Sequence, residues 1–310
     1  MKISFIVPCY NEERNINLFY EEVKNSFKNK KYNVELIFVN DGSKDNTYSE
    51  LKKLLSEKFF NIKVINFSRN FGKEAGIFAG LKTCTGDYAV IIDADMQQPP
   101  SLVLPMIKAL ESNNDIDIVS YYQESRIENK LISFIKAKFY KIMGKSMGTE
   151  VKVGASDFRL FNRKVIDTIL TITEHDRFSK GIFNWIGFNT YYLPYTPQKR
   201  VNGKTSWSFK SLLRYGVSGI LSFSKSPLTM IFKLAIFNII ASILIFIFQL
   251  ILSVNVFYYL FPFVLFIFGI NSILMGIIGE YVYRNYTESR NRPIYIVKEI
   301  LCNEKDNDCL

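Results

Sequence analysis

The chain opens with a regular exchange between short apolar runs and longer amphipathic stretches. Residues 3–7, 34–39, 62–67, 88–92 and 117–121 have the length and content of buried strands. Between them, residues 15–27, 72–82 and 100–110 place apolar side chains at helical spacing. After Asp41-Gly42-Ser43, the residues Tyr48, Leu51, Leu54 and Leu55 fall on one helical face. Strand and helix in alternation predict an α/β domain with a mostly parallel sheet and right-handed crossovers. Farther along, residues 129–145 form a basic amphipathic pattern, with Leu131, Phe134, Ile135, Phe139 and Ile142 on one side. That helix is expected to pack on the sheet, with the bilayer interface as the alternative. A second amphipathic segment, 208–224, leads into two almost wholly apolar runs, about 228–254 and 256–279. Each is long enough, at roughly 37 Å of helix, to cross a hydrocarbon core of about 30 Å.

Carboxylates collect where the strands end. Glu12 follows the first strand and Asp41 the second. The fourth ends in Asp93-Ala94-Asp95, two carboxylates separated by one small residue. Open α/β sheets bind ligands at these carboxyl ends. Two such close carboxylates repel unless a cation lies between them, and a hard, oxygen-seeking ion holding a diphosphate would resolve the repulsion.

Charge sharpens the picture of the second half. The net charge is +10, and no Asp or Glu occurs between Asp176 and Glu280. Lys210, Arg214, Lys225 and Lys233 precede or enter the hairpin, Arg284, Arg290, Arg292 and Lys298 follow it, and the turn at 253–255 carries no charge. The positive-inside rule therefore places both flanks in the cytoplasm. The basic apron beside the membrane suits anionic headgroups or a phosphorylated lipid, and its location argues against nucleic acid. The N-terminus enters a strand directly, which predicts no signal peptide. The four cysteines lack metal-ligand spacing, and a cytoplasmic location disfavours disulfides. The single histidine, His175, excludes a multi-histidine zinc site.

Seven segments, in order, make the chain resemble a family 2 glycosyltransferase of the polyprenyl-phosphate branch, which includes dolichol-phosphate mannose synthases and bactoprenol glucosyltransferases. They are Val7-Pro8-Cys9-Tyr10-Asn11-Glu12-Glu13, Val39-Asn40-Asp41-Gly42-Ser43, Ser68-Arg69-Asn70-Phe71-Gly72-Lys73-Glu74 and Asp93-Ala94-Asp95-Met96-Gln97-Gln98-Pro99-Pro100. Gly154-Ala155-Ser156-Asp157-Phe158-Arg159-Leu160, Arg200-Val201-Asn202-Gly203-Lys204 and Gly279-Glu280-Tyr281 complete the set. The resemblance implies a GT-A (Rossmann-like) catalytic domain over 1–207 and an amphipathic juxtamembrane segment over 208–227. A two-helix transmembrane hairpin over 228–280 and a cytoplasmic tail over 281–310 would follow. The protein would be a multi-pass enzyme of the cytoplasmic (inner) membrane.

The resemblance also implies roles. Pro8, Tyr10, Glu12, Val39, Asp41 and Ala94 would line the nucleotide-sugar pocket, with Lys73 adding positive charge. Asp41 can accept from uracil or guanine, so it leaves UDP- and GDP-hexoses both open. Asp93, Asp95 and Gln97 would form the neighbourhood of Mg²⁺ or Mn²⁺. Asp157 matches the family's catalytic carboxylate. Arg126, Arg177 and Arg200 are the candidates for the acceptor phosphate. That acceptor, a polyprenyl phosphate such as undecaprenyl phosphate, has a second pKa near 6 and is mostly dianionic at neutral pH, so Asp157 is expected to orient groups more than to abstract a proton.

Two departures stand out. Gln98 occupies a position where the family usually has Asp, and the family's Arg-x-x-Gly-x-Ser-Lys becomes Arg200-Val201-Asn202-Gly203-Lys204-Thr205-Ser206. The expected activity is metal-dependent, inverting transfer of one hexose, with UDP-glucose as first donor because the tight two-span hairpin resembles that of the bactoprenol glucosyltransferases. A processive polysaccharide synthase is the rival, but the chain lacks a Gln-x-x-Arg-Trp signature and enough spans for a channel. A noncatalytic scaffold is the other, and such a scaffold has no need of Asp93 and Asp95. Gly269, Gly276 and Gly279 offer small residues for packing between subunits.

Overall fold

The computed structural model describes residues 1–123, 154–196, 226–252 and 257–303, together with 144, 152, 219, 222 and 223. The first half follows the alternation read from the sequence. Strands β1 (Lys2–Cys9), β2 (Asn33–Asn40), β3 (Asn61–Phe67) and β4 (Tyr88–Ile91) are linked by helices α1 (Ile16–Phe27), α2 (Thr47–Leu54) and α3 (Lys73–Thr83). A 3₁₀ turn, Pro100–Leu102, opens α4 (Val103–Ser112), as suits a proline that cannot donate to a helical hydrogen bond. Strand β5 (Ile118–Gln123) comes next. After the undescribed stretch come β6 (Ala155–Asn162), α5 (Arg163–Thr171), α6 (Ser179–Trp185) and β7 (Thr190–Tyr195). The Asn162 side chain caps α5 by accepting from the Val165 N–H at 3.0 Å.

These strands form an eight-stranded sheet in the order β7-β5-β6-β4-β1-β2-β3-β8, where β8 is Val297–Cys302. Its centre, β4-β1-β2-β3, is parallel. Strand β6 is antiparallel to both β4 and β5, and β8 is antiparallel to β3. The sheet is thus mixed and mostly parallel, with helices on both faces. One core joins Phe5, Phe38 and Phe158 to Phe19, Leu51 and Met106. The other joins Ile6, Val39 and Ile91 to Ile77, Ile166 and Phe183. Burial on both faces explains why the central strands read as continuous apolar runs.

Two long helices follow, α7 (Ser226–Leu252) and α8 (Phe257–Ser289). Their windows Pro227–Leu244 and Phe266–Ser289 have mean hydropathies of 1.9 and 1.5, yet are 0% and 6% buried. Exposure of such apolar helices rules against their being the core of the globular part. Helix α8 runs ten residues beyond the apolar run that was expected to end at Gly279. Its last turns are polar and keep a Glu280–Arg284 contact at 3.1 Å, the favourable i,i+4 arrangement.

The segment 281–310 is not a simple tail. Strand β8 closes the edge of the sheet, and Asn303 accepts from the Ile62 N–H at 3.1 Å while donating to the carbonyls of Glu57 and Phe60 at 3.0 and 2.7 Å. Cys9 and Cys84 are buried free thiols, but Cys302 is disulfide-bonded, against the expectation from compartment. The helix expected at 129–145 and most of 208–224 lie outside the described residues.

Candidate active site

The site is built where β4 and β6 meet. Because β6 runs antiparallel to β4, its first residues lie beside the last residues of β4, with Ile91 opposite Arg159. Continuing that register brings Asp157 level with Asp93, although the two are far apart in the chain. Lys73, the first residue of α3, joins them. Its ammonium lies 2.6 and 2.8 Å from the two carboxylate oxygens of Asp93 and 3.7 Å from Asp157. Lys180, from α6, approaches the other oxygen of Asp157 at 3.6 Å. Two cations thus alternate with two carboxylates.

That alternation sets the protonation states. Burial works against the Lys73 ammonium, but Asp93 and Asp157 outweigh it and hold the lysine pKa above its ordinary value. Burial likewise opposes the Asp157 carboxylate, yet Lys180, Lys73 and Arg159 together keep its pKa below the usual range. Asp157 is therefore held in its ionised form.

The turn after Asp93 is tightly made. Asp95 is buried, its carboxylate accepts from the Gln97 N–H at 3.1 Å, and Met96 has φ of 60°, a left-handed conformation uncommon for such a side chain. Strain of this kind gathers at functional sites. Gln98 then reaches across, donating to Ser156 Oγ at 2.9 Å and Tyr195 Oη at 3.1 Å. Its amide supplies N–H donors that an ionised aspartate lacks, so the departure noted in the sequence ties the turn to β6 and β7.

A divalent cation suits this chemistry. Asp93, Asp95 and Gln97, the residues expected to hold it, carry hard side-chain oxygens, and the Asp93 carboxylate is already paired with the Lys73 cation. Among the described residues, no three His, Cys, Asp or Glu side chains gather into a ready-made metal cluster.

The other expected residues divide into distinct groups. Tyr10 is exposed just beyond β1. Glu12 accepts from the Asn15 side chain at 2.6 Å, and its N–H donates to Thr47 Oγ1 at 2.8 Å. Pro8 lies on β1 near its end. Val39 and Ala94 send their side chains into the cores, so only backbone remains there for a ligand. Asp41 is buried and accepts from the N–H groups of Phe71 and Gly72 at 2.6 and 2.9 Å. Burial raises its pKa in spite of those bonds and of Arg69. Its loop packs tightly: a Cβ at Gly42, where φ is 62°, would meet the Arg69 carbonyl carbon at 2.4 Å.

Of the three arginines expected to meet an acceptor phosphate, Arg126 and Arg200 lie outside the described residues. Arg177 is buried, donates to the Ile172 carbonyl and lies 4.2 Å over the Phe78 ring. Burial lowers its pKa, though Glu74 and Glu174 act the other way. His175 donates its backbone N–H to Glu288 at 2.8 Å, which links its loop to α8. The residues that sequence reasoning did not place at the site are Lys180 and the bridging amide of Gln98. Lys180 stands three residues after Arg177, but its partner Asp157 comes from β6.

Comparison with known proteins agrees with this architecture. Residues 4–170 match the family described as "Glycosyl transferase family 2". CsbB of Bacillus subtilis (strain 168), which carries a provisional glycosyltransferase name, is 38% identical over 311 residues, covering 98% of this chain and 93% of that protein. The "Prophage bactoprenol glucosyl transferase homolog" of Escherichia coli (strain K12) is 34% identical over 310 residues, covering 97% and 99%. The "Bactoprenol glucosyl transferase" of Shigella phage SfV is 34% identical over 305 residues, covering 96% and 98%. With its mostly parallel α/β sheet and paired carboxylates at the end of β4, the chain belongs to glycosyltransferase family 2 and is a glycosyltransferase of the GT-A type.

Proposed function

We propose that this enzyme transfers one hexose from a nucleotide sugar to a polyprenyl phosphate, undecaprenyl phosphate being the first candidate, at the cytoplasmic face of the membrane. The observation that carries this reading is the near full-length match, through both apolar helices, to relatives named for bactoprenol. UDP-glucose is the first donor to test. The domain limits follow the sequence reading: a catalytic domain over 1–207, a juxtamembrane segment over 208–227 and a hairpin over 228–280. Strand β8 lies beyond the hairpin yet pairs with β3, which supports an even number of crossings with both flanks on one side.

In this reading a phosphate oxygen of the acceptor attacks the anomeric carbon as the bond to the nucleoside diphosphate breaks. The nucleoside diphosphate leaves on the opposite face, so configuration inverts. No strong base is needed, because the monoester is mostly dianionic at neutral pH. Asp157, held ionised, orients groups about the sugar, and Lys73 and Lys180 balance its charge. Asp93, Asp95 and Gln97 would hold Mg²⁺ or Mn²⁺, which neutralises charge on the leaving diphosphate when bound. Tyr10, with the backbone about Pro8, Glu12, Val39, Asp41 and Ala94, forms the nucleotide side of the site.

Membranes containing the protein, supplied with Mn²⁺, polyprenyl phosphate and a panel of labelled UDP- and GDP-hexoses, test this directly. One donor is expected to yield a lipid-linked monosaccharide, and chelation of the metal is expected to abolish it. No lipid-linked sugar from any donor overturns the reading, and long polymer replaces it with a processive synthase.

A further inference from the structure

A cavity of about 890 Å³ opens between the start of α3, the loop before α6 and the C-terminal end of α8. Its walls include Arg69, Lys73, Arg177, Arg290, Arg292 and Tyr286. Three of the guanidinium groups lie over aromatic rings: Arg69 at 4.1 Å from the Phe71 ring, Arg177 at 4.2 Å from Phe78 and Arg290 at 4.2 Å from Tyr286. Stacking fixes the plane of a guanidinium and leaves its N–H edge for a ligand. Among the described residues, none of the four arginines forms an ion pair with a carboxylate. Arg177 is only 8% exposed, and its buried Nε has no hydrogen-bond partner. Two acids, Glu74 and Asp176, also line the cavity, but Glu74 is engaged by the N–H and hydroxyl of Ser179. A buried guanidinium N–H without a partner is costly and points to a missing anion.

We propose that this cavity binds the phosphate monoester head of the lipid acceptor, with Arg69, Arg177, Arg290 and Arg292 as its donors and the prenyl chain leaving along α8. The inference rests on the proposed lipid acceptor and gives it a location. Three observations favour that occupant. Each of Arg69, Arg177 and Arg290 spends one N–H group on a neutral oxygen, of Asn70, Ile172 and Tyr286, and a dianionic monoester matches the clustered charge that remains better than the single charge of a phospholipid diester. Val282, Tyr283 and Tyr286 are 60%, 61% and 52% exposed, so the otherwise polar last turns of α8 carry a strip of aromatic and aliphatic side chains away from the cavity. Lys73 belongs both to the cavity and to the Asp93–Asp157 pair, so a phosphate held here lies beside the reacting centre. The residues expected to meet the nucleotide, Pro8, Tyr10 and Glu12, are not in its walls.

The rival explanation of Arg290 and Arg292 is that they only fix membrane orientation. Full-length protein in lipid nanodiscs separates the two. In the double variant Arg290→Gln/Arg292→Gln, the KM for polyprenyl phosphate is expected to rise about tenfold or more, the loss of one or two charge-assisted hydrogen bonds, while the donor KM stays within about twofold. The variant Arg290→Lys/Arg292→Lys restores orientation, since lysine serves that rule equally, but is expected to recover the lipid KM only in part. An unchanged lipid KM, a parallel rise in donor KM, or complete rescue by lysine overturns the proposal. Binding to phosphatidylcholine vesicles carrying polyprenyl phosphate is read alongside vesicles carrying phosphatidylglycerol and added inorganic phosphate. Loss of binding in the Gln variant confined to the polyprenyl phosphate vesicles, with inorganic phosphate competing at those vesicles, supports the site; equal loss with phosphatidylglycerol, or competition by inorganic phosphate that is equal for both kinds of vesicle, overturns it. If wild type binds the lipid but transfers no sugar, the functional reading fails and the cavity stands.

Discussion

Lys73 holds together two carboxylates that neither its own helix nor either strand brings to it alone. Without it, Asp93 loses its ion-pair partner and Asp157 is left with Lys180 and the more remote Arg159. Lys73→Met is therefore expected to lower turnover on the order of 100-fold, the scale on which removal of a preorganised charge acts at a reacting centre. Steady-state kinetics at saturating donor and lipid checks this, and a loss below about threefold would mean that Lys73 is only a surface cation. The low pKa of Asp157 leads to a second expectation. Its carboxylate stays ionised across the neutral range, so the acidic limb of the pH profile belongs to the acceptor. Activity should rise with pH through about 6, where the monoester loses its second proton, and Asp157→Asn should leave that limb in place. A limb that disappears in Asp157→Asn would make Asp157 the titrating base. At this scale the local motifs were legible. Asp93 and Asp95 could be singled out because a short apolar run ends at them, and Lys73 because the segment 68–74 resembles the family. The meeting of Asp157 with Asp93 could not, since it depends on the direction of β6. Arg177 could be named from the sequence, but its stacking on Phe78, a residue nearly 100 positions away, could not.

Among the elements, those with strong periodicity were legible and those defined by distant pairing were not. The runs at 3–7, 34–39, 62–67 and 88–92 became the parallel centre of the sheet because both of their faces are buried. Strand β8 has a weaker pattern, half exposed, and its partner β3 is more than 230 residues away. Sequence periodicity carries no sign of such a pairing. Asn303 shows how firmly that strand is attached, with three hydrogen bonds to the stretch 57–62. Asn303→Ala would leave the Ile62 N–H buried without its acceptor, at a cost of about 2 kcal/mol. A drop in Tm of roughly 4–8 °C is expected for a domain of this size, and scanning calorimetry or a thermal shift reads it. An unchanged Tm would mean that β8 adds nothing to the stability of the sheet.

At the scale of the molecule, the chain leaves the sheet, makes two long apolar helices and returns to the same sheet through β8. The hairpin is thereby bracketed by one folded body. On the proposed function, this arrangement would keep the carboxylate site and the basic cavity at one membrane face, and the search for an insoluble acceptor would become two-dimensional. Asn255, in the turn between the apolar runs, should then lie on the opposite side. In intact cells, Asn255→Cys is expected to react with a membrane-impermeant thiol reagent, whereas Asn189→Cys, beside β7, is expected to react only after lysis. The reverse pattern would invert the proposed orientation.

The central claim is that a single hexose passes with inversion to a lipid phosphate. Its most direct test is product analysis from purified full-length protein given undecaprenyl phosphate, UDP-glucose and Mn²⁺. Mass spectrometry and NMR should show one glucose per lipid, joined through the phosphate in the β configuration, with one UDP released for each lipid consumed. An α-linked product, more than one sugar per lipid, or UDP release without any lipid product would contradict the account.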